Sequence, residues 1–231
     1  MLIITGSGRS GTDTAARLLG GYHEFRVNYI LDKYFLKADP HSDPFDNFKK
    51  RIAVILDLHQ GIDGNSFIDS SNLYIYFIDA IYKLYPSAKI ILTVRNGKDF
   101  VRSAYSRRWH ERKQFGMVPL RNDPYFKRWE SMIPLQKNAW IWDYRNRKAI
   151  EGLISVPEKN KLMLKIEEIE NRETLDRLES FSGKEIKRDY ARRRYNANPA
   201  FDFPVKEDWS DAMKAEFDEI AGEMMKYFGY R

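Results

Sequence analysis

Short continuous apolar runs alternate along the chain with longer stretches whose apolar positions recur at helical spacing. The clearest run, Lys89 to Val94, is apolar at successive positions, which is typical of a parallel strand covered on both faces. Leu2 to Thr5, Phe67 to Asp69 and Lys161 to Lys165 are shorter runs of the same kind. The pattern therefore predicts four strands.

Helices are predicted between and after these strands, from the spacing of apolar residues and from the glycines and prolines that end it. They cover residues 12–19, 45–59, 73–85, 97–108, 135–153, 171–182 and 209–228. Such alternation favours an α/β fold of three layers, αβα, with a central and mostly parallel sheet. The length suits one domain over residues 1–231.

Composition narrows the choice of partner only a little. The net charge of +6 suits an anionic ligand such as a nucleotide, a nucleic acid or an acidic glycan, but a merely basic surface gives the same value. The absence of cysteine excludes disulfides, thiolate metal sites and cysteine nucleophiles. No apolar run reaches the roughly 20 residues of a membrane span, and no signal peptide is visible, so we expect a cytoplasmic protein.

The most informative polar segment is Gly6 to Thr12, which reads Gly-Ser-Gly-Arg-Ser-Gly-Thr between the first strand and the first helix. Glycines let the backbone turn its N–H groups towards one point, and a helix N-terminus adds partial positive charge there. Arg9 adds a full charge with planar geometry. The segment predicts an oxyanion site, although a purely structural glycine turn has the same composition.

Two common nucleotide loops fit this segment poorly. Gly6 and Gly11 have Walker A spacing, but Thr12 stands at the lysine position and Asp13 at the position of the Mg²⁺-binding hydroxyl. Gly6, Gly8 and Gly11 also match the dinucleotide pattern, which needs an acid ending a second strand about 20 residues later. The segment there does not read as a clean strand end.

The loop instead resembles the 5′-phosphosulfate loop of sulfotransferases, in which a basic residue precedes Ser-Gly-Thr. That family binds 3′-phosphoadenosine-5′-phosphosulfate (PAPS) there and needs no divalent metal. The resemblance implies that the phosphosulfate contacts are Gly8, Arg9, Ser10, Gly11 and Thr12.

A second segment, Lys89 to Arg108, resembles the 3′-phosphate motif of the same family. It has an apolar strand, an arginine at the end of that strand, Arg95, and a serine eight residues later, Ser103. An arginine there lies on the ligand side of an open α/β sheet, and a serine two helical turns on can face the same phosphate. Each residue alone is ordinary, as a surface ion pair or a solvated helix position, but together they indicate a nucleotide with a 3′-phosphate.

The resemblance implies a PAPS-dependent sulfotransferase of bacterial or glycan type, with a fold like that of P-loop NTPases. Such an enzyme transfers the sulfuryl group in line to a hydroxyl or amine of a small-molecule or carbohydrate acceptor, and it releases 3′,5′-bisphosphoadenosine (PAP). Arg9 would then neutralise charge on the leaving phosphate.

The general base and a closing loop are also implied by the resemblance. Phe67 to Tyr74 resembles the segment that carries the proposed base in some glycan sulfotransferases, which implies Asp69, although Ser70 and Asn72 replace the family lysine and proline. The alternatives as base are His23, Glu24, Asp32 and His59. The family often closes a basic loop over the nucleotide, and the candidates are Arg192, Arg193 and Arg194, with Tyr195 as an adenine contact; of these we assign Arg193.

Two other classes remain as alternatives from sequence. One is a P-loop kinase of a small substrate, which requires ATP and Mg²⁺. The other is a non-enzymatic nucleotide- or RNA-binding module, for which no RNA-binding motif is visible. Residues 22–44 and 109–133 fall where the family builds acceptor specificity, but the acceptor and the oligomeric state stay open.

Overall fold

The computed structural model describes residues 1–24, 39–41, 67–193, 198 and 200–230. The predicted helix over 45–59 lies outside these residues. The contacts divide the chain into two compact units. The first unit takes its residues from 1–31, 45–94 and 148–196, and the second takes its residues from 32–44, 95–147 and 197–231. The single domain over 1–231 stays a prediction.

The first unit contains a five-stranded sheet in which every neighbouring pair of strands is parallel. Its strands are β1 Leu2–Gly6, β2 Tyr22–His23, β3 Ile68–Ser70, β4 Lys89–Val94 and β5 Lys161–Lys165, in the order β2-β3-β1-β4-β5. The four predicted strands are confirmed. The sequence does not predict β2, because two residues are too short for a periodic signal.

The helices follow the predicted sequence of elements closely. They are α1 Thr12–Leu18, α2 Ile78–Leu84, α3 Gly97–Tyr105, α4 Pro134–Leu153, α5 Arg172–Ser182 and α6 Asp211–Tyr227. The helix predicted over 73–85 begins instead as a 3₁₀ turn, Tyr74–Tyr76, before α2. Helix α3 ends before Arg108, whose left-handed backbone (φ 53°) cannot continue an α-helix.

Both faces of the sheet are covered. Alternate strand residues point to one face and pack with α1 and α5 in a buried cluster that includes Leu2, Ile4, Ile91 and Leu164. On the other face, Ile3 and Leu92 also have no exposed surface. This double coverage explains why the strands read as continuous apolar runs, and it confirms the predicted α/β architecture. Among the described residues, no helix combines the length and apolarity that crossing a bilayer requires.

The second unit includes α3, most of α4 and α6, packed around the start of α3. A side chain at Gly97 would place its Cβ 2.6 Å from Phe217 and 3.1 Å from Trp142, so only glycine fits there. The side chain of Asn96 caps the helix, because its Oδ1 accepts hydrogen bonds from the N–H groups of Lys98 (3.0 Å) and Asp99 (3.5 Å). The first turn of α3 is therefore fixed by capping and by packing.

The cap of α3 gives a first test. Asn96→Ala leaves two first-turn N–H groups without their acceptor, so we expect it to lower the free energy of unfolding by about 1 kcal/mol. Asn171→Ala is the matched control, because Asn171 precedes α5 without a side-chain capping bond. Urea unfolding followed by circular dichroism compares the two variants, and equal losses would contradict the capping role of Asn96.

Candidate active site

The glycine loop lies between the end of β1 at Gly6 and the start of α1 at Thr12. Its backbone is left-handed at Gly8 (φ 80°), Arg9 (φ 54°) and Gly11 (φ 88°). Turns that contain left-handed residues can point successive main-chain N–H groups towards an anion. Arg9 adopts this conformation without being glycine, at a cost of order 1–2 kcal/mol. The loop therefore holds a conformation that a simple turn does not need.

Two hydroxyl groups tie the loop to the sheet. Ser10 and Thr93 of β4 are both fully buried, and their hydroxyl oxygens lie 3.1 Å apart. Thr93 donates its proton to the carbonyl of Thr5 (3.0 Å), so Ser10 is the donor to Thr93. The Ser10 hydroxyl is therefore used in a hydrogen bond inside the protein. Thr93 was missed from sequence, although it is the polar residue within the apolar run of β4.

Close packing also restricts the loop to glycine at two positions. A Cβ at Gly6 would collide with the side chains of Ser10 and Thr93. A Cβ at Gly11 would collide with Ile166, which begins a 3₁₀ turn directly after β5. The spacing of these two glycines therefore reflects packing against β4 and β5 as well as backbone conformation.

Asp13 does not direct its charge into the loop. Its carboxylate pairs with Arg17 one turn along α1, with 2.6 Å between Oδ1 and Nε. The pair neutralises an acid that would otherwise repel an anion held by the preceding residues. Thr12, the first residue of α1, is buried, with 6% of its surface exposed.

Asp69 is fully buried in the middle of β3. Its Oδ2 accepts a hydrogen bond from the hydroxyl of Tyr74 (2.6 Å). Burial, and then the charge of Asp69, raise the pKa of Tyr74 well above its ordinary value, so the phenol remains a donor. The carboxylate has a fixed partner and no exposed surface in the described structure.

Of the alternative bases, His23 ends β2, the strand next to β3, and Glu24 directly follows it. The Nδ1 of His23 is 2.6 Å from the hydroxyl of Ser70, which ends β3, and its Nε2 is 3.7 Å from the carboxylate of Glu24. The side chain of His23 is 20% exposed and that of Glu24 is 44% exposed. Asp32 and His59 lie outside the described residues.

Arg95 and Ser103 belong to the second unit. Arg95 directly follows β4, is half-buried, and accepts a hydrogen bond at its carbonyl from the indole of Trp142 (3.1 Å). Ser103 lies two turns into α3 with 1% exposure. The side chain of Asn198 donates to the carbonyl of Ser103 (3.0 Å) and accepts from Nε of Arg107 (2.6 Å). Asn198 was not predicted, and its only sequence signal is a following proline, which favours a turn.

The segment before α6 is held against α3 in the second unit. Arg102 of α3 donates to the carbonyl of Phe203 (3.0 Å), and its guanidinium lies 4.1 Å from the centre of the Phe201 ring. Lys206 pairs with Asp99 at 2.8 Å. In the first unit, Arg193 is exposed and lies 5.6 Å from the ring centre of Tyr190. Arg194 and Tyr195 lie outside the described residues.

The structure thus gathers the predicted residues into two groups, one in each unit. The first unit holds the glycine loop, Asp69 and Arg193, and the second holds Arg95 and Ser103. Within the ranges described, no cluster of three or more histidine, aspartate or glutamate side chains could hold a metal ion.

Comparison with known proteins gives a family and a fold. Residues 68–209, more than half of the chain, match the family model described as a sulfotransferase domain. A search of the curated proteins returns no match.

Three solved structures share the fold over all of this chain. They are a sulfotransferase from Alicyclobacillus acidocaldarius (14% identity, 96% of that chain, TM-score 0.56), the sulfotransferase domain of the curacin biosynthetic pathway (13%, 98%, 0.57) and a sulfotransferase from Mycobacterium avium (12%, 77%, 0.56), each covering 100% of this chain.

The loop geometry predicts a graded response to alanine. Gly183→Ala introduces only backbone strain (φ 69°), since nothing lies within 4 Å of its Cβ position, and we expect a loss of roughly 1–2 kcal/mol in stability. Gly11→Ala adds the collision with Ile166, so we expect roughly 2–5 kcal/mol. Urea unfolding measures both losses.

The double variant Gly11→Ala, Ile166→Ala separates strain from collision. We expect its loss to be smaller than the sum of the two single losses, because each change relieves the other. Strict additivity would show that Ile166 does not restrict Gly11.

Proposed function

Because the chain belongs to the sulfotransferase family, we propose that it transfers the sulfuryl group of PAPS to a hydroxyl or amine of a small-molecule or carbohydrate acceptor. The observation that supports this donor is the geometry of the loop from Gly8 to Thr12, which contains left-handed residues and an arginine. Asp13, the acid that follows the loop, pairs with Arg17. A phosphosulfate bound there needs no divalent metal, because Arg9 and the backbone N–H groups supply the positive charge.

We assign the 5′-phosphosulfate to the loop, with Arg9 and Thr12 as side-chain contacts and Gly8, Ser10 and Gly11 as backbone contacts. Ser10 contributes its N–H rather than its hydroxyl, since the hydroxyl donates to Thr93. The loop enters the reaction already folded, and ligand binding does not have to order it. Pre-ordered donors stabilise developing charge more effectively than donors that must reorganise.

We assign the 3′-phosphate to Arg95 and Ser103. Arg95 supports this role because its backbone is fixed by Trp142 and by the capped start of α3. Asn198 supports the position of Ser103 by binding its carbonyl and orienting Arg107. Arg193, exposed beside Tyr190, is assigned to the closing loop over the nucleotide.

The chemical step is an in-line displacement at sulfur. A bond forms between the acceptor oxygen or nitrogen and sulfur, while the bond from sulfur to the 5′-phosphate oxygen breaks and its electron pair leaves with PAP. Positioning and charge neutralisation supply most of the catalysis of such transfers. Arg9 and the loop N–H groups neutralise the charge that develops on the leaving phosphate.

We assign to Asp69 the role of the general base, which removes the proton from the acceptor. Its carboxylate is held by Tyr74, and its lack of exposed surface means that the acceptor must reach it through a local opening at the end of β3. His23 is the structured alternative, because it is partly exposed and oriented by Ser70.

Binding of nucleotides tests the donor and separates this function from a kinase. By calorimetry, we expect PAP to bind without Mg²⁺ and more tightly than ATP with Mg²⁺. Arg95→Ala should weaken the binding of PAP by roughly 10- to 150-fold, which corresponds to one charge-assisted hydrogen bond. The affinity for adenosine 5′-phosphate, which lacks the 3′-phosphate, should stay nearly unchanged. Arg128→Ala, which removes an exposed arginine paired with Glu219, is the control. Tighter binding of ATP, or equal losses for both adenosine nucleotides, would refute the assignment.

Turnover with a labelled PAPS donor and an acceptor panel tests the base. Asp69→Asn keeps an acceptor for the Tyr74 hydroxyl, so the fold is retained, and we expect kcat to fall by roughly 10²–10⁴ with PAP affinity unchanged. His23→Gln should lower kcat much less. The opposite ranking would move the base to His23 and leave the donor assignment intact.

A further inference from the structure

A cavity of about 140 Å³ opens at the amino-terminal edge of the sheet, within the first unit. Its floor is apolar and consists of Leu2, Phe67 and Ile68, at the starts of β1 and β3. The glycine loop follows the other end of β1, so the two sites are roughly 15 Å apart for a five-residue strand. The cavity is therefore separate from the site described above.

The rim of this cavity carries positive charge. Lys89 and Lys184 line it, together with Ser87 and Ser182. An anion placed between the two lysines would be attracted by both charges.

Lys89 is held in place rather than free to turn away. Its Nζ donates to the carbonyl of Phe181 in the last turn of α5 (2.7 Å) and lies 5.5 Å from the centre of the Phe181 ring. This bond uses one of the three ammonium protons, so two remain for a ligand. The hydroxyl of the next residue, Ser182, donates to the carbonyl of Glu179 (3.2 Å) and accepts from the N–H of Lys184 (3.2 Å), so it fixes the turn that leads to Lys184.

No acid among the described residues pairs with these lysines. The nearest carboxylate on the same helix end, Glu179, binds the guanidinium of Arg188 (3.0 Å) and the N–H of Ile186 (3.2 Å). A concave surface lined by charges of one sign raises the local concentration of counter-ions. The volume is close to the ~150 Å³ of a cavity that holds a benzene molecule, and it accommodates a tetrahedral ion.

We propose that this cavity binds a small oxyanion, of the chemistry shared by inorganic phosphate, sulfate and a terminal phosphate group, between Lys89 and Lys184 and beside Ser87. The site is independent of the proposed sulfuryl transfer. It gives the protein a second anion site, at the end of the sheet opposite the glycine loop.

Lysine footprinting of the full chain measures occupancy at the cavity itself. The acetylation rates of Lys89 and Lys184 are followed by mass spectrometry as inorganic phosphate or sulfate is added, with sodium chloride holding the ionic strength constant. We expect saturable slowing at both lysines and none at Lys159, an exposed lysine of the same unit. Slowing without saturation, or equal slowing at Lys159, would overturn the proposal.

Charge reversal provides the second measurement. Lys184→Glu and Lys159→Glu both alter exposed side chains, so both variants should fold. In calorimetry we expect phosphate to bind Lys184→Glu roughly tenfold or more weakly than the natural chain, and Lys159→Glu nearly unchanged. Equal affinities for the two variants would refute the site. In the footprinting experiment, adenosine 5′-phosphate is compared with inorganic phosphate. If it protects Lys89 and Lys184 from acetylation better than inorganic phosphate does, the ligand is the phosphate group of a larger molecule. If inorganic phosphate protects them better, the ligand is the free ion.

Discussion

The hydrogen bond from Ser10 to Thr93 connects the glycine loop to the best-formed strand of the sheet. The hydroxyl of Thr93 in turn donates a hydrogen bond to the carbonyl of Thr5. The two uncharged hydrogen bonds together hold the loop against the sheet. The strand that carries Thr93 is followed directly by Arg95, which we assign to the 3′-phosphate. The end of β4 therefore holds the glycine loop through Thr93 and also sets the position of Arg95. A shift in the register of β4 would displace both residues.

Charge around the loop is managed locally. Asp13, next to the loop, is neutralised by Arg17 on its own helix. The left-handed backbone at Arg9 costs conformational free energy, and the same turn places glycines, which tolerate positive φ, at positions 8 and 11. The contacts with Thr93 and Ile166 fix the loop backbone in this conformation.

Much of this structure was predictable from the sequence, and the exceptions have physical reasons. Continuous apolar runs such as Lys89 to Val94 predicted the strands because both faces of the sheet are covered. The pairing of Tyr22 and His23 with β3 was not predictable, because a two-residue edge strand is defined by its neighbour alone. The roles of Thr93 and Asn198 depend on partners 83 and 95 residues away in sequence, and spacing cannot reveal such contacts. The sequence proposes Asp69 as the general base, but its complete burial and its hydrogen bond from Tyr74 appear only in three dimensions.

The contact between Gly11 and Ile166 has a consequence for how such proteins diverge. Position 166 follows β5 and touches no assigned ligand, yet the volume of its side chain sets what the loop can accommodate. Drift at the two positions is consequently linked: a smaller residue at 166 removes the steric reason for glycine at 11, and a bulkier one makes that glycine indispensable. In proteins that share this packing, we expect substitutions at positions 11 and 166 to be correlated, although the two positions are far apart in sequence.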